Sequence, residues 1–142
     1  MLAHCPFAQK ASAFVSSLVL LGASAAVAGP QGPLSQDVYI KSASPEFADL
    51  FGHDVVAYGD RIAFSAPQED SAATGVGGSP FNNGASDSGA VYIYRFVGGA
   101  WVQEAYIKAA NAGTGDAFGA SIALGPNLLV VGAPGESSSS PI

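Results

Sequence analysis

Cysteine is nearly missing from this 142-residue chain: Cys5 is the only one. No internal disulfide can form, and thiol or cysteine-zinc chemistry lacks its parts. Histidine is scarce too, with His4 and His53 alone, so His-based nucleophilic or metal-dependent catalysis has little to work with. His53 and Asp54 are adjacent on an expected strand edge, where side chains alternate and neighbours cannot pair directly. No Gly-x-Ser-x-Gly elbow occurs, and Gly113-Thr114-Gly115 lacks the glycine spacing of a dinucleotide loop. Arg-Gly-Asp and Asn-x-Ser/Thr are also absent. Charge is low at 11% of residues and one-sided, with five Lys and Arg against 11 Asp and Glu. A net charge of −6 repels phosphate backbones and anionic lipid, which argues against nucleic-acid and membrane-surface partners. No enzyme is expected from this inventory.

The N-terminus reads as a targeting segment. A single early lysine, Lys10, precedes the apolar run from Ala11 to Val27, and Ala26-Val27-Ala28 offers a small-x-small cleavage pattern. Residues 1–28 are therefore expected to be a signal peptide, since the run is short for a membrane anchor and lacks a basic stop-transfer flank. Residues 29–36 read as a linker and 37–142 as the folded region. Cleavage removes Lys10 and Cys5, leaving four basic residues against 11 acidic ones, a net charge of −7. The expected location is secreted or at the cell surface, in the extracellular space or periplasm, with no membrane span after cleavage.

What the sequence does have is glycine (18 residues), proline (9) and 49% hydrophobic residues. That mixture suits short strands and tight turns. Internal duplication is present at a period of 67 residues. Tyr39-Ile40-Lys41 returns as Tyr106-Ile107-Lys108, Asp49 and Phe51-Gly52 as Asp116 and Phe118-Gly119, Ala66-Pro67 as Ala133-Pro134, and Glu69 as Glu136. Residues 36–71 align on 103–138 without a gap at 12 identities in 36 positions, where chance gives about three.

Each copy reads as strands. Val55–Tyr58 and Arg61–Ala66 flank Gly59-Asp60, and Ser121–Leu124 and Leu128–Ala133 flank Gly125-Pro126-Asn127. Apolar runs around a Gly-containing break predict hairpins, and their near-continuous apolarity predicts burial on both faces. A second hairpin, Ala90–Phe96 and Trp101–Lys108 around Gly98-Gly99, alternates more visibly and reads as outer strands.

These residues resemble the FG-GAP repeat, a blade of integrin-α-like β-propellers with a secreted bacterial branch. Phe118-Gly119 followed by Gly132-Ala133-Pro134 fits it fully, and the first copy has Ser65-Ala66-Pro67 in the second position. The resemblance implies an all-β fold: an incomplete β-propeller with one full four-stranded antiparallel blade plus parts of two neighbours. The preceding neighbour would contribute a strand at 37–41. Phe51 and Phe118 would wedge between blades, Gly52 and Gly119 would permit close backbone approach, and Pro67 and Pro134 would end strands.

Integrin-type blades often hold calcium in an acidic loop, and the short turns here lack it. The long segment from Gln68 to Ser88 offers a different oxygen set: Glu69, Asp70, Asn82, Asn83 and Asp87 are the metal candidates, for calcium. Its Gly, Ser and Asn content reads more simply as a solvated, turn-rich loop. Asp49 and Asp116 read as turn-formers rather than catalytic groups. The functional expectation is a non-enzymatic extracellular or cell-surface interaction module, adhesion-like, whose propeller loops bind an extracellular protein or a glycan. The alternatives are a calcium-stabilised propeller segment and an accessory domain of a larger secreted hydrolase. Apolar edges and an uncovered blade face point to further blades or self-association.

Overall fold

The computed structural model describes residue 36 and residues 38–138. The signal peptide expected at 1–28, residues 29–35 of the expected linker and Asp37 lie outside the described residues. Six strands carry the regular structure: β1 (Val55–Tyr58), β2 (Arg61–Ala66), β3 (Ala90–Val97), β4 (Ala100–Ile107), β5 (Ser121–Leu124) and β6 (Leu129–Gly132). They lie where apolar, β-branched and aromatic runs are bounded by glycine-containing turns, and no helix occurs among the described residues. None therefore offers a helix long and apolar enough to cross a membrane.

The first four strands form one antiparallel sheet in the order β1-β2-β3-β4, and β5 and β6 form a separate antiparallel hairpin. Between β3 and β4 the register shifts after Ile93, which faces Ala105, so that Tyr94 faces Gln103. Glu104 is the unpaired residue of this bulge. Its carboxylate takes a bidentate contact from Arg61, with Nε at 2.6 Å and Nη2 at 2.9 Å.

Strand alternation divides the sheet into two packed faces. One is aromatic: Tyr92, Tyr94 and Tyr106 are buried there and Ile40, Phe51 and Phe64 pack against them. Phe51 stacks on Phe64 at 5.1 Å between ring centroids and meets Tyr92 edge-on at 5.2 Å. The other face is aliphatic. Ala63 and Val91, with Val56, Ile93 and Ile107 beside them, pack against Ile122, Phe118, Leu129 and Val131 of the β5–β6 unit. The expected wedge role of Phe118 is thus seen directly. Asp54 ties the two sheets further, its carboxylate accepting the Ile122 amide at 2.9 Å.

Three sequence expectations need correction. The β1 strand is mostly exposed rather than buried on both faces, because it is a sheet edge and only its aliphatic side meets β5–β6. Residues 38–41 are not a strand; a strand needs a ladder partner, and none pairs with them among the described residues. They are nonetheless held, since Ile40 packs on the aromatic face and the Lys41 carbonyl accepts the Tyr94 hydroxyl at 2.6 Å. Finally, the recurring glycine serves different needs in its two copies. A Cβ on Gly119 would lie 2.9 Å from the Ala90 carbonyl oxygen, whereas one on Gly52 meets nothing within 4 Å. Gly52 is required by its φ of +85° instead.

Candidate functional site

The segment from Gln68 to Ser88 is anchored, not freely solvated. Its root is a buried ion pair: Lys108 Nζ lies 2.6 Å from Glu69 Oε2, with side-chain exposures of 0% and 3%. The same ammonium donates to Ser88 Oγ at 2.7 Å. Glu69 Oε2 also accepts the Ser71 amide at 3.2 Å. The Ser88 hydroxyl faces the carbonyls of Ser71 at 3.0 Å and Glu69 at 3.2 Å. A buried charge pair survives only when its remaining polar atoms are satisfied, and these contacts supply that. Removing one partner of such a pair costs about 3–5 kcal/mol, because the other charge is left uncompensated.

Above this root the segment folds back on β4. Val76 forms an antiparallel bridge with Ile107. The Gly77 amide donates to the Tyr106 carbonyl at 2.9 Å and the Lys108 amide to the Gly75 carbonyl at 2.8 Å. The exposed flank of β4 is thereby partly covered, which blunts a sheet edge. Side chains complete the fold. Ser71 Oγ donates to the Ser79 carbonyl at 2.9 Å, and Asn82 Oδ1 accepts the Ala72 amide at 2.8 Å. Asp70 Oδ1 accepts the Asp87 amide at 2.8 Å, and Asn83 Nδ2 donates to Glu46 Oε2 at 2.6 Å.

These contacts locate every candidate metal ligand. Glu69 is buried at the root, where its carboxylate holds Lys108 and the Ser71 amide; Asp70, Asn82 and Asn83 each bond within the loop or to Glu46. Asp87 lies at the loop's end, its carboxylate 3.5 Å from Ser86 Oγ. The donors are directed at separate protein groups, and no cluster of three His, Cys, Asp or Glu suited to a metal occurs among the described residues.

The sequence reading missed Lys108, Ser71 and Ser88 as partners of Glu69. A signal existed: the lysine after Tyr-Ile and the glutamate after Ala-Pro both recur at the 67-residue period. Two phenols flank the network. The Tyr92 hydroxyl is buried without a hydrogen-bond partner among the described residues, and burial is the largest cause raising both phenols above the ordinary tyrosine range.

Asp49 and Asp116 act as turn-formers in matching ways. Asp49 Oδ2 accepts the Glu46 amide at 3.2 Å and Asp116 Oδ2 the Gly113 amide at 2.7 Å, each reaching back three residues. Burial pushes the Asp49 carboxyl above its usual value, partly opposed by that amide. His53 and Asp54 do not pair: the Asp54 carboxylate is on Ile122 instead.

What the loop shows to solvent is apolar and amide-bearing. Phe81 is 73% exposed, and Val76, Asn82 and Asn83 are exposed beside it. Phe47, next to the Glu46 that holds Asn83, is fully exposed as well.

The family model described as the FG-GAP repeat matches residues 101–141, from β4 through the Phe118-Gly119 and Gly132-Ala133-Pro134 elements. Over residues 101–141 the chain is similar to an FG-GAP repeat. The all-β structure, a four-stranded antiparallel sheet followed by the two-stranded β5–β6 sheet, agrees with the propeller-blade architecture that this repeat implies. No curated protein and no solved structure matches the chain.

Proposed function

We propose that this FG-GAP chain is a non-enzymatic extracellular interaction module that binds a protein or glycan through the surface of the Gln68–Ser88 loop. The observation that carries this reading is the combination of a rigid root and an exposed tip. The Lys108–Glu69–Ser88 network is fully buried, while Phe81 stands 73% exposed among amide side chains. A preorganised loop loses little conformational entropy on binding. An exposed aromatic beside hydrogen-bonding groups suits both a sugar face and a protein hot spot. The apolar leader at 1–28 and the extracellular habit of FG-GAP repeats support the location.

The test is a glycan array together with a panel of immobilised extracellular-matrix proteins, probed with the purified chain and with Phe81→Ala. The reading expects a saturable signal that Phe81→Ala weakens at least tenfold without moving the melting midpoint. Binding that survives Phe81→Ala, or no binding on either panel, dismisses the loop as the binding surface.

A further inference from the structure

The chain holds four asparagines, and Asn83 alone is followed by glycine. That pair matters because the main-chain nitrogen after an asparagine can attack the asparagine side-chain amide, and glycine has no Cβ to hinder the approach. Asn83 and Gly84 are both exposed and belong to no strand. The Gly84 amide donates to no protein group among the described residues. The nitrogen that would attack is therefore open to solvent base and lies outside any ladder.

The other three asparagines are placed differently. Asn82 closes the loop with both ends of its amide: Oδ1 accepts the Ala72 amide at 2.8 Å, and Nδ2 donates to the Ser79 carbonyl at 3.3 Å. Asn111 Nδ2 donates to Glu136 Oε2 at 2.6 Å and Ser138 Oγ at 3.0 Å, and Ala112 follows it. Leu128 follows Asn127. Gly84 itself is there for packing rather than for conformation. It holds no positive φ, but a Cβ on it would stand 3.0 Å from the Ala72 Cβ. The glycine that lets the loop pass close to Ala72 is thus the one that leaves Asn83 open to its neighbour's nitrogen.

The Asn83 side chain is a clip. Its Nδ2 donates to Glu46 Oε2 at 2.6 Å, joining positions 37 residues apart in sequence. A carboxylate accepts and does not donate, so the contact needs the carboxamide. A carboxylate in its place would set two like charges against each other. The neighbourhood is already acidic: burial pushes the Asp49 carboxyl upward most, and the charges of Glu69, Glu46 and Asp70 add to it. The loop root is separate, since Lys108 bonds Glu69 and Ser88 without Asn83. Loss of the clip therefore loosens the tip, where Phe81 is exposed, and leaves the root anchored.

We propose that Asn83 is a deamidation site, and that its conversion releases the tip of the Gln68–Ser88 loop from Glu46. Solvent base takes the Gly84 amide proton, the nitrogen bonds to Asn83 Cγ, and Nδ2, protonated by solvent, leaves as ammonia to close a succinimide ring. Water then opens the ring. Attack at Cγ restores the ordinary chain with an aspartate, and attack at the Asn83 main-chain carbonyl leaves an isoaspartate, with the chain running through the side chain. One water enters, one ammonia departs, and nothing is oxidised or reduced. This inference does not depend on what the loop binds.

The purified chain, held at mildly alkaline pH and physiological temperature and sampled over weeks, tests it by peptide mass spectrometry with fragmentation. Asn83 should convert at least tenfold faster than Asn82, Asn111 or Asn127, and Gly84→Ala or Asn83→Gln should slow conversion at that position at least tenfold. Amide hydrogen exchange reads the clip. Asn83→Asp should speed exchange at the Ala72 and Ala85 amides, which bonds within the loop protect, and leave the Gly89 amide at the root unchanged. Adding Glu46→Gln exchanges donor and acceptor and should restore the slower exchange. An Asn83 that converts no faster than the other asparagines overturns the proposal, as does an Asn83→Asp chain with unchanged exchange at Ala72 and Ala85.

Discussion

The two copies of the repeat present the same residues in different circumstances, and the difference shows how much of each residue's role comes from its neighbour. Glu69 is buried on Lys108 in the first copy, while Glu136 faces solvent and takes Asn111 Nδ2 at 2.6 Å. Gly119 is hemmed in by the Ala90 carbonyl, while Gly52 is open. Local sequence sets the backbone conformation in both copies, since Gly52 and Gly119 share a positive φ and donate to the equivalent carbonyls of Ser65 and Gly132. Burial and charge pairing, by contrast, appear only where a neighbouring strand or sheet arrives.

The largest expected effect breaks the comparison at its buried charge. Lys108→Met should cost about 3–5 kcal/mol in denaturant unfolding, because it strands the Glu69 carboxylate. The double variant with Glu69→Gln should lose less than the single one, and Lys41→Met less than about 0.5 kcal/mol in the monomer. Equal losses for Lys108→Met and Lys41→Met would show that the ion pair does not anchor the loop.

The glycine pair comes next. Gly119→Ala should cost about 2–4 kcal/mol, combining an unfavourable φ with a clash against fixed backbone. Gly52→Ala carries the φ term alone, about 1–2 kcal/mol. Similar in size is the paired test at the sheet faces, where Ile122→Ala should lose about 2–4 kcal/mol and Val55→Ala under about 1. Thermal unfolding of the four variants measures both contrasts.

The smallest effect lies at the hairpin tips. The first copy holds Asp60 and Arg61 where the second holds Asn127 and Leu128. Hydrogen bonding and charge from Arg61 hold the Glu104 carboxyl below its usual range, and those from Arg95 do the same for Asp60. A depressed carboxyl pKa contributes stability above the unfolded value and loses it as pH falls through the lower folded value. Arg61→Gln should therefore narrow the melting-midpoint difference from wild type as pH drops below about 4, and in high salt. These groups are solvent-exposed, so the difference at neutral pH should be slight. A gap that widens in acid would contradict the assignment.

Much of the fold was legible because strand signals are local. The bounds of β1, β2 and β5 follow from apolar runs ended by glycine or proline, and the Phe118 wedge follows from the repeated Phe-Gly. The loop was misjudged for a physical reason as well. Gly, Ser and Asn are turn formers when read along the chain, but Ser71, Asn82 and Ser88 spend their hydrogen bonds on closing this loop. Glu69 stood out as a carboxylate and thus as a metal candidate, while its partner lies 39 residues away.

The sequence by itself determined the period, the strands, the turns and the acidic, cysteine-poor surface, because these depend on neighbours along the chain. Only the tertiary structure decided which repeated residues become buried partners. Folding β3 and β4 back onto β2 carries Lys108 to Glu69 and ties the loop to β4, and packing β5–β6 on the aliphatic face covers Ala63 and Ile122. Their repeat counterparts Lys41, Glu136, Val55 and Val130, identical or similarly apolar, are exposed, since desolvation and pairing are properties of contact rather than of residue type.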